Sequence, residues 1–287
     1  MDINDFRTFI EVSRTRHFGQ AAQNLCITQS AVSARIKQLE DALGKSLFIR
    51  QRNNIQLTPA GEQMLFYAES ITSAWNSARQ NIGISTENRT SLVLGGMIGL
   101  WDITLQDWLH RVYSEFTNLT IQAQIHGIDV LHSRTLNGSI DLAFVYDPPV
   151  NDMITVKAIS DIPLVLVSTQ HGLDAERAVR ENYVMVDWGV SYTNSHNRAY
   201  PDAPSAMLYT SHDRIALDFL FARGGNAYLA GPTVQPYVDE GRLHLVEDAP
   251  VFSRTAFAIY RTDNENAPII SKLVDTAIDV MTEQHSG

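Results

Sequence analysis

Gln29, Ser30 and Ser33 place three polar side chains within five positions, with Arg35 and Lys37 directly after them and Arg50 and Arg52 further on. Amides and hydroxyls at this spacing can hydrogen-bond to the edges of bases, and the cationic groups can neutralise phosphate. An ordinary solvated helix face has the same composition. In the second half of the chain, His126, Asp102, Asp129 and Asp147 could converge in a cleft for acid-base work, but solvated surface charge gives that pattern too. The sequence carries no H-E-x-x-H pair, no G-x-S-x-G elbow, and neither a G-x-G-x-x-G nor a G-x-x-x-x-G-K-[ST] loop. Cys26 is the single cysteine and has no companions at ligand spacing. The expectation is therefore a protein that is not an enzyme and has no cofactor and no metal site.

The 287 residues, 44% of them apolar, can fill at least two cores. No apolar run is long enough to cross a membrane, and the chain opens on Asp2, Asn4 and Asp5, so a cytoplasmic multidomain protein is expected. The net charge of -10 is unevenly spread. Residues 1–60 hold eight Lys/Arg against five acids, a net of +3, which leaves -13 on the remainder. A basic head on an acidic body suits a nucleic-acid reader whose body is repelled by phosphate.

The elements that must position the polar set are legible. Ile3, Phe6, Phe9, Ile10 and Val12 recur at helical spacing and predict a first helix ending near Thr15. Phe18 to Leu25 predicts a short second helix, whose Ala21 and Ala22 permit close helix approach. After the turn at Cys26-Ile27, Thr28 caps a third helix over residues 29–43, with Gly44 at its C-cap. Val32, Ile36, Leu39 and Leu43 form its buried stripe; Gln29, Ser30, Ser33 and Lys37 face away. Leu47 to Arg50 and Asn54 to Leu57 predict a hairpin with Arg52 and Asn53 at its tip. Helix, helix, turn, helix and basic hairpin in this order predict a winged helix-turn-helix over residues 1–58.

Phe18 to Leu25, Thr28-Gln29-Ser30-Ala31-Val32-Ser33, Ile36 to Glu40, Leu47-Phe48-x-Arg50 and Leu57-Thr58-x-Ala60-Gly61 resemble the LysR-type transcriptional regulators. Ser13 to Gly19 and Asn53-Asn54 resemble the HdfR-like branch, whose namesake is associated with flagellar gene control. Ala34 and Asn53 depart from the residues many members carry there. The resemblance implies a regulator of flagellar or metabolic genes that binds double-stranded promoter DNA as a homodimer or homotetramer. Its DNA-contacting residues would be Thr28, Gln29, Ser30, Ser33, Ala34, Arg35, Lys37, Arg50, Arg52 and Asn53.

Thr58 as N-cap and Pro59 at the first helical position predict a linker helix over about residues 59–86. Met64, Ala68, Ile71, Trp75, Ala78 and Ile82 keep the spacing of a coiled-coil seam and are expected to dimerise. A helix packed on its own domain would show the same short pattern.

Beyond residue 91, strand-like and helix-like segments alternate, which predicts an α/β body. Asp141-Leu142-Ala143 and Ala222 to Tyr228 resemble the family's effector domain, two subdomains built like a periplasmic binding protein. By that resemblance, subdomain I spans about 91–160 and 263–287, and subdomain II about 161–262. The chain would cross near Ser160 to Pro163 and near Ile259 to Asp263. Ligands of open α/β sheets lie beyond the carboxyl ends of the strands. Gly99, Leu100, Trp101, Asp102, Ile128, Asp147 and Tyr228 are the expected lining of a small-molecule effector site. Leu100-Trp101 stands where relatives often have a hydroxyl, and with Asp102 and Asp147 nearby a neutral, aromatic or cationic ligand is expected. The alternative is a solute-binding or catalytic α/β protein whose N-terminal helices only oligomerise. Salt-sensitive binding to duplex DNA separates the two.

Overall fold

The computed structural model describes residues 2–51, 54–84 and 89–286. Local caps start each of the first helices. Asp2 accepts the Asn4 amide and Asp5 accepts the Asp2 amide at 2.7 Å, a reciprocal cap on α1 (Ile3–Thr15). The His17 ring accepts the Gln20 amide at 3.1 Å and opens α2 (Phe18–Asn24). Cys26, at φ 55°, turns the chain into α3 (Gln29–Leu43), which Thr28 caps and the left-handed Gly44 closes.

Strands β1 (Phe48–Gln51) and β2 (Asn54–Leu57) pair antiparallel, Phe48 opposite Leu57. Phe9, Phe18 and Phe48 meet in the head's core with Val12, Val32, Ile36 and Leu39. Each such side chain contributes ~1.5 to 3 kcal/mol by leaving water. The linker helix α4 (Pro59–Ile84) begins where the Thr58 hydroxyl accepts the Gly61 amide at 3.0 Å. Gly61 is required there, since a Cβ would lie 2.2 Å from the Leu47 carbonyl oxygen.

The body begins with β3 (Thr90–Gly96), α5 (Ile98–Leu100), a π-helical turn (Trp101–Leu105) and α6 (Gln106–Glu115). A π turn thus stands between the two α-helical pieces. That turn buries Trp101, Ile103, Thr104 and Leu105 and leaves Asp102 exposed. Gly96 makes room for the indole of Trp101, whose nitrogen would be 2.6 Å from a Cβ there. Next come β4 (Leu119–Ile125), α7 (Ile128–Leu136), β5 (Leu142–Val145) and the long β6 (Ile154–Ser168). The second half holds α8 (Ala175–Arg180), β7 (Tyr183–Val186), α9 (Val190–Ala199), β8 (Leu208–Thr210), α10 (Asp213–Arg223) and β9 (Asn226–Ala230). It closes with α11 (Gly231–Asp239), β10 (His244–Leu245), β11 (Phe252–Arg261) and α12 (Ala267–Ser286).

The strands form one mixed sheet in the order β4-β3-β5-β11-β6-β9-β7-β8, with β10 also on β6. The groups β4-β3-β5 and β9-β7-β8 are parallel within themselves, and antiparallel β6 and β11 run between them. Both crossings thus lie in these two long strands. The first lies inside β6. The second comes earlier than expected: Phe257 to Ile259 already pair with β5, and the register of β11 against β6 shifts between Ala256 and Phe257. A β-bulge bends the strand, so the chain changes halves there and not at Ile259 to Asp263.

Candidate nucleic-acid interface and inter-subdomain cleft

Gln29, Ser30, Ala34 and Lys37 are exposed on α3, and Ser33 and Arg35 are half-buried beside them. Thr28 is exposed but its hydroxyl accepts the Ala31 amide at 3.2 Å and lies 2.9 Å from the Ser30 hydroxyl. Arg35 donates to the Thr8 hydroxyl at 3.2 Å, so part of its guanidinium already ties α3 to α1. The two ring-free ends of the set differ chemically: the Gln29 amide can both donate and accept at a base edge, whereas Lys37 supplies only a point charge. At the hairpin, Arg52 and Asn53 lie outside the described residues, and the side chain of Arg50 is outside them too.

The heptad stripe of α4 divides in two. Ala68 is fully buried and Met64 partly buried in the head's own core, so neither belongs to an open seam, contrary to expectation. Ile71 and Trp75, 41% and 48% exposed, stand free together with Tyr67, and Ala78 is exposed beyond them. The side chain of Ile82 lies outside the described residues. The physical reason for the division is the face of the helix: packing on the head follows Ala68, buried Thr72 and Asn76, which accepts from Arg7 of α1 at 3.0 Å, and Ile71 and Trp75 stand beside that line.

Between the halves of the body lies a cavity of about 250 Å³. Gly99 and Asp147 line it, together with Tyr146, Trp188, Gly189 and Arg254. Arg254 is buried yet cationic. Its two terminal nitrogens donate to the Asp147 carboxylate at 2.8 and 3.3 Å, and its guanidinium carbon lies 5.0 Å from the Tyr146 ring centre. Gly189 has φ 93°, and a Cβ there would press within 3.2 Å of that guanidinium. Burial, reinforced by the negative charge of Asp213, raises the Tyr146 hydroxyl well above its ordinary range. Burial also raises the Asp213 carboxyl, which His212 partly offsets.

Other expected lining residues lie elsewhere. Leu100 is fully buried and Trp101 nearly so, its indole donating to the Gln124 carbonyl at 3.3 Å. Ile128 packs with Leu131 and Ile140 in a separate small core. Tyr228 is fully buried, its hydroxyl donating to the Pro250 carbonyl and lying 2.8 Å from the Tyr200 hydroxyl. These largely apolar side chains found a core to fill, which removes more surface from water than lining a cleft would. Asp102 sits 3.5 Å from the ring of His212. His212, Asp213, Trp188 and Arg254 were missed by sequence reasoning. One signal was available for Arg254: it occupies the inward register of β11, in line with buried Ala256 and Ala258.

Residues 3–62 match the model of the bacterial regulatory helix-turn-helix proteins of the LysR family, and residues 85–282 match the LysR substrate binding domain. The chain belongs to the LysR family. LysR relatives include the HTH-type transcriptional regulator HdfR of Yersinia enterocolitica, 33% identical over 97% of this chain and 97% of that protein. HdfR of Yersinia pestis is 32% identical over 99% of this chain and 98% of its own length. Full-length LysR folds are similar in structure. CbnR in complex with its target DNA superposes with a TM-score of 0.69 at 16% identity, covering 96% of this chain and 99% of that one. ArgP from Mycobacterium tuberculosis gives 0.66 at 18% identity, covering 98% and 97%. These likenesses establish a LysR-type transcriptional regulator with a helix-turn-helix head and an effector-binding body. Among the described residues, no helix is long and apolar enough to cross a membrane.

Proposed function

We propose that this LysR regulator reads promoter DNA with the first turns of α3, dimerises through the free part of α4, and answers to a small molecule in the cleft. The observation that carries the reading is the exposed Gln29, Ser30, Ala34 and Lys37 face on a helix that buries Val32, Ile36 and Leu39 in the head and leaves only the terminal Leu43 of its apolar stripe exposed. A helix so presented fits a major groove, and CbnR is the relative whose solved complex contains DNA. In this reading Gln29, Ser30 and Ser33 meet base edges, and Arg35, Lys37, Arg50 and Arg52 meet phosphates. Thr28 and Ala34 approach the groove wall, and Asn53 accompanies Arg52 at the wing.

Tyr67, Ile71, Trp75 and Ala78 form the dimer contact, because an apolar strip left open on a single chain needs a partner to leave water. A homodimer presents two heads to two half-sites, and a homotetramer of such dimers spans more. The work is done in the cytoplasm, where the DNA is.

For the cleft, the pairing of Arg254 with Asp147 cancels its charge, while Asp102, Asp187 and Asp213 remain. This favours a neutral, aromatic or cationic effector over a simple dicarboxylate. The decisive experiment is electrophoretic or fluorescence titration of the full chain on its own promoter duplex over a range of salt. Steep loss of affinity with salt is expected. Salt-independent or absent duplex binding would return the reading to a solute-binding protein with an oligomerising N-terminus.

A further inference from the structure

At the edge of the cleft, three side chains distant in sequence come together: Asp102 from the π turn of the first half, and His212 and Asp213 from the start of α10 in the second. One donor atom from each lies within 4.8 Å of the others. We propose that Asp102, His212 and Asp213 form a binding site for a divalent transition-metal ion that ties the two halves of the body together.

Two independent features point to a ligand here. Asp213 is only 2% exposed, yet its Oδ2 has no hydrogen-bond partner. The Nε2 of His212 is likewise buried without a hydrogen-bond partner, 3.5 Å from a carboxylate oxygen of Asp102. A carboxylate oxygen buried without a donor is costly, and native proteins satisfy such atoms with water, a proton or a cation. As metal ligands, two carboxylates and an imidazole would together supply a charge of about -2, which a divalent ion cancels and a single proton does not.

The donor set also selects the ion. Imidazole nitrogen with carboxylate oxygen suits Zn²⁺, Mn²⁺, Fe²⁺ or Co²⁺, whereas Ca²⁺ and Mg²⁺ prefer oxygen throughout. Bonds of ~2.1 Å place neighbouring donors roughly 3 to 4 Å apart, so a small closure of the cleft completes the arrangement.

Ligation changes the tautomer. Nδ1 now accepts the Arg214 amide at 3.0 Å, which leaves the ring proton on Nε2; binding a metal through Nε2 moves that proton to Nδ1 and turns the ring from the amide so that Nδ1 donates to Asp213 Oδ1, 3.3 Å away. The Arg214 amide keeps its second acceptor, Asp213 Oδ1, at 2.9 Å, so the start of α10 stays capped. Sequence reasoning expected no metal because it sought ligands at short spacing, and these are brought together across two halves.

The inference deepens the reading of the cleft as a regulatory site, and its test is independent of DNA. The full chain, stripped by chelator and dialysed, is titrated with Zn²⁺, Mn²⁺ and Co²⁺ by calorimetry, with Co²⁺ absorption reporting a nitrogen-containing ligand field. Saturable binding of one ion per chain is expected. Losing even an outer partner of a metal typically costs about 10- to 100-fold in affinity, so Asp213→Asn and His212→Gln should each weaken binding by at least ~10-fold. Asp102→Asn alters an exposed side chain and keeps the test open if a buried variant fails to fold. Asp218→Asn, on the outer face of α10, should bind like the parent. Absence of saturable binding, or binding unchanged in Asp102→Asn and Asp213→Asn, overturns the site.

Discussion

Arg254 and Asp147 form a bidentate pair in which the cation is 8% exposed and the carboxylate 68% exposed. The pair joins β11 to the loop after β5, residues far apart in the chain, and it forms one wall of the cleft. Its asymmetry sets the expected energetics. Losing Asp147 leaves the buried guanidinium without its counter-charge, whereas losing Arg254 leaves a carboxylate that water already solvates. Asp147→Asn should therefore destabilise the body by ~1 to 3 kcal/mol, and Arg254→Met by less, in urea unfolding followed by tryptophan fluorescence. Equal losses in the two variants would contradict this account.

On the DNA-reading face, Gln29→Ala should cost ~1 to 3 kcal/mol on the operator and little on unrelated duplexes. Lys37→Ala should weaken both alike and flatten the dependence on salt by about one unit of slope. Competition titrations at two salt concentrations distinguish them, and operator preference that survives Gln29→Ala would remove this residue from base reading.

For the linker, Ile71→Asp or Trp75→Asp should dissociate the dimer without unfolding the chain, since neither side chain serves the head's core. A large apolar group buried at an interface is worth ~2 to 5 kcal/mol, enough to move sedimentation from dimer to monomer at micromolar protein. Ala68→Asp should instead unfold the head. If Trp75→Asp sediments as an intact dimer at low concentration, the contact lies elsewhere.

Asp141 gives a pH signature. It accepts the Val93 amide at 2.8 Å and the Asn264 side chain at 3.2 Å, yet burial dominates and raises its carboxyl above the ordinary value. A raised folded-state value means the proton is held more tightly folded than unfolded. Its contribution to stability is complete below the unfolded value, about pH 4, and is lost as pH rises through the folded value. Asp141→Asn has no proton to lose, so its melting temperature relative to the parent should improve from about pH 4.5 to 7. Parallel pH profiles for the two proteins would show that this carboxyl does not titrate differently on folding.

Much of the head could be read from the sequence because its signals act over a few residues. Thr28 and Gly44 bound α3 through bonds to their own neighbours, and Val32, Ile36 and Leu39 share a face by helical geometry alone. Thr58 and Pro59 start α4 in the same way. In the body, by contrast, α9 went unread because its Ser, Thr and Asn residues favour no helix. It forms because Tyr192 and His196 are buried against Tyr183 and Phe252.

The same division of labour governs the sites. Residue types and local spacing determined a polar helix face, its caps and an apolar linker stripe. Only the tertiary structure decided that Met64 and Ala68 turn inward while Ile71 and Trp75 stay open, because α1 and the head pack along the line of Ala68, Thr72 and Asn76. Only it seated Tyr228 and Leu100 in the core, and brought Arg254 to Asp147 and Asp102 to His212 and Asp213. Those meetings depend on two long strands carrying the chain between halves, and contacts across such distances leave no periodic trace in the sequence.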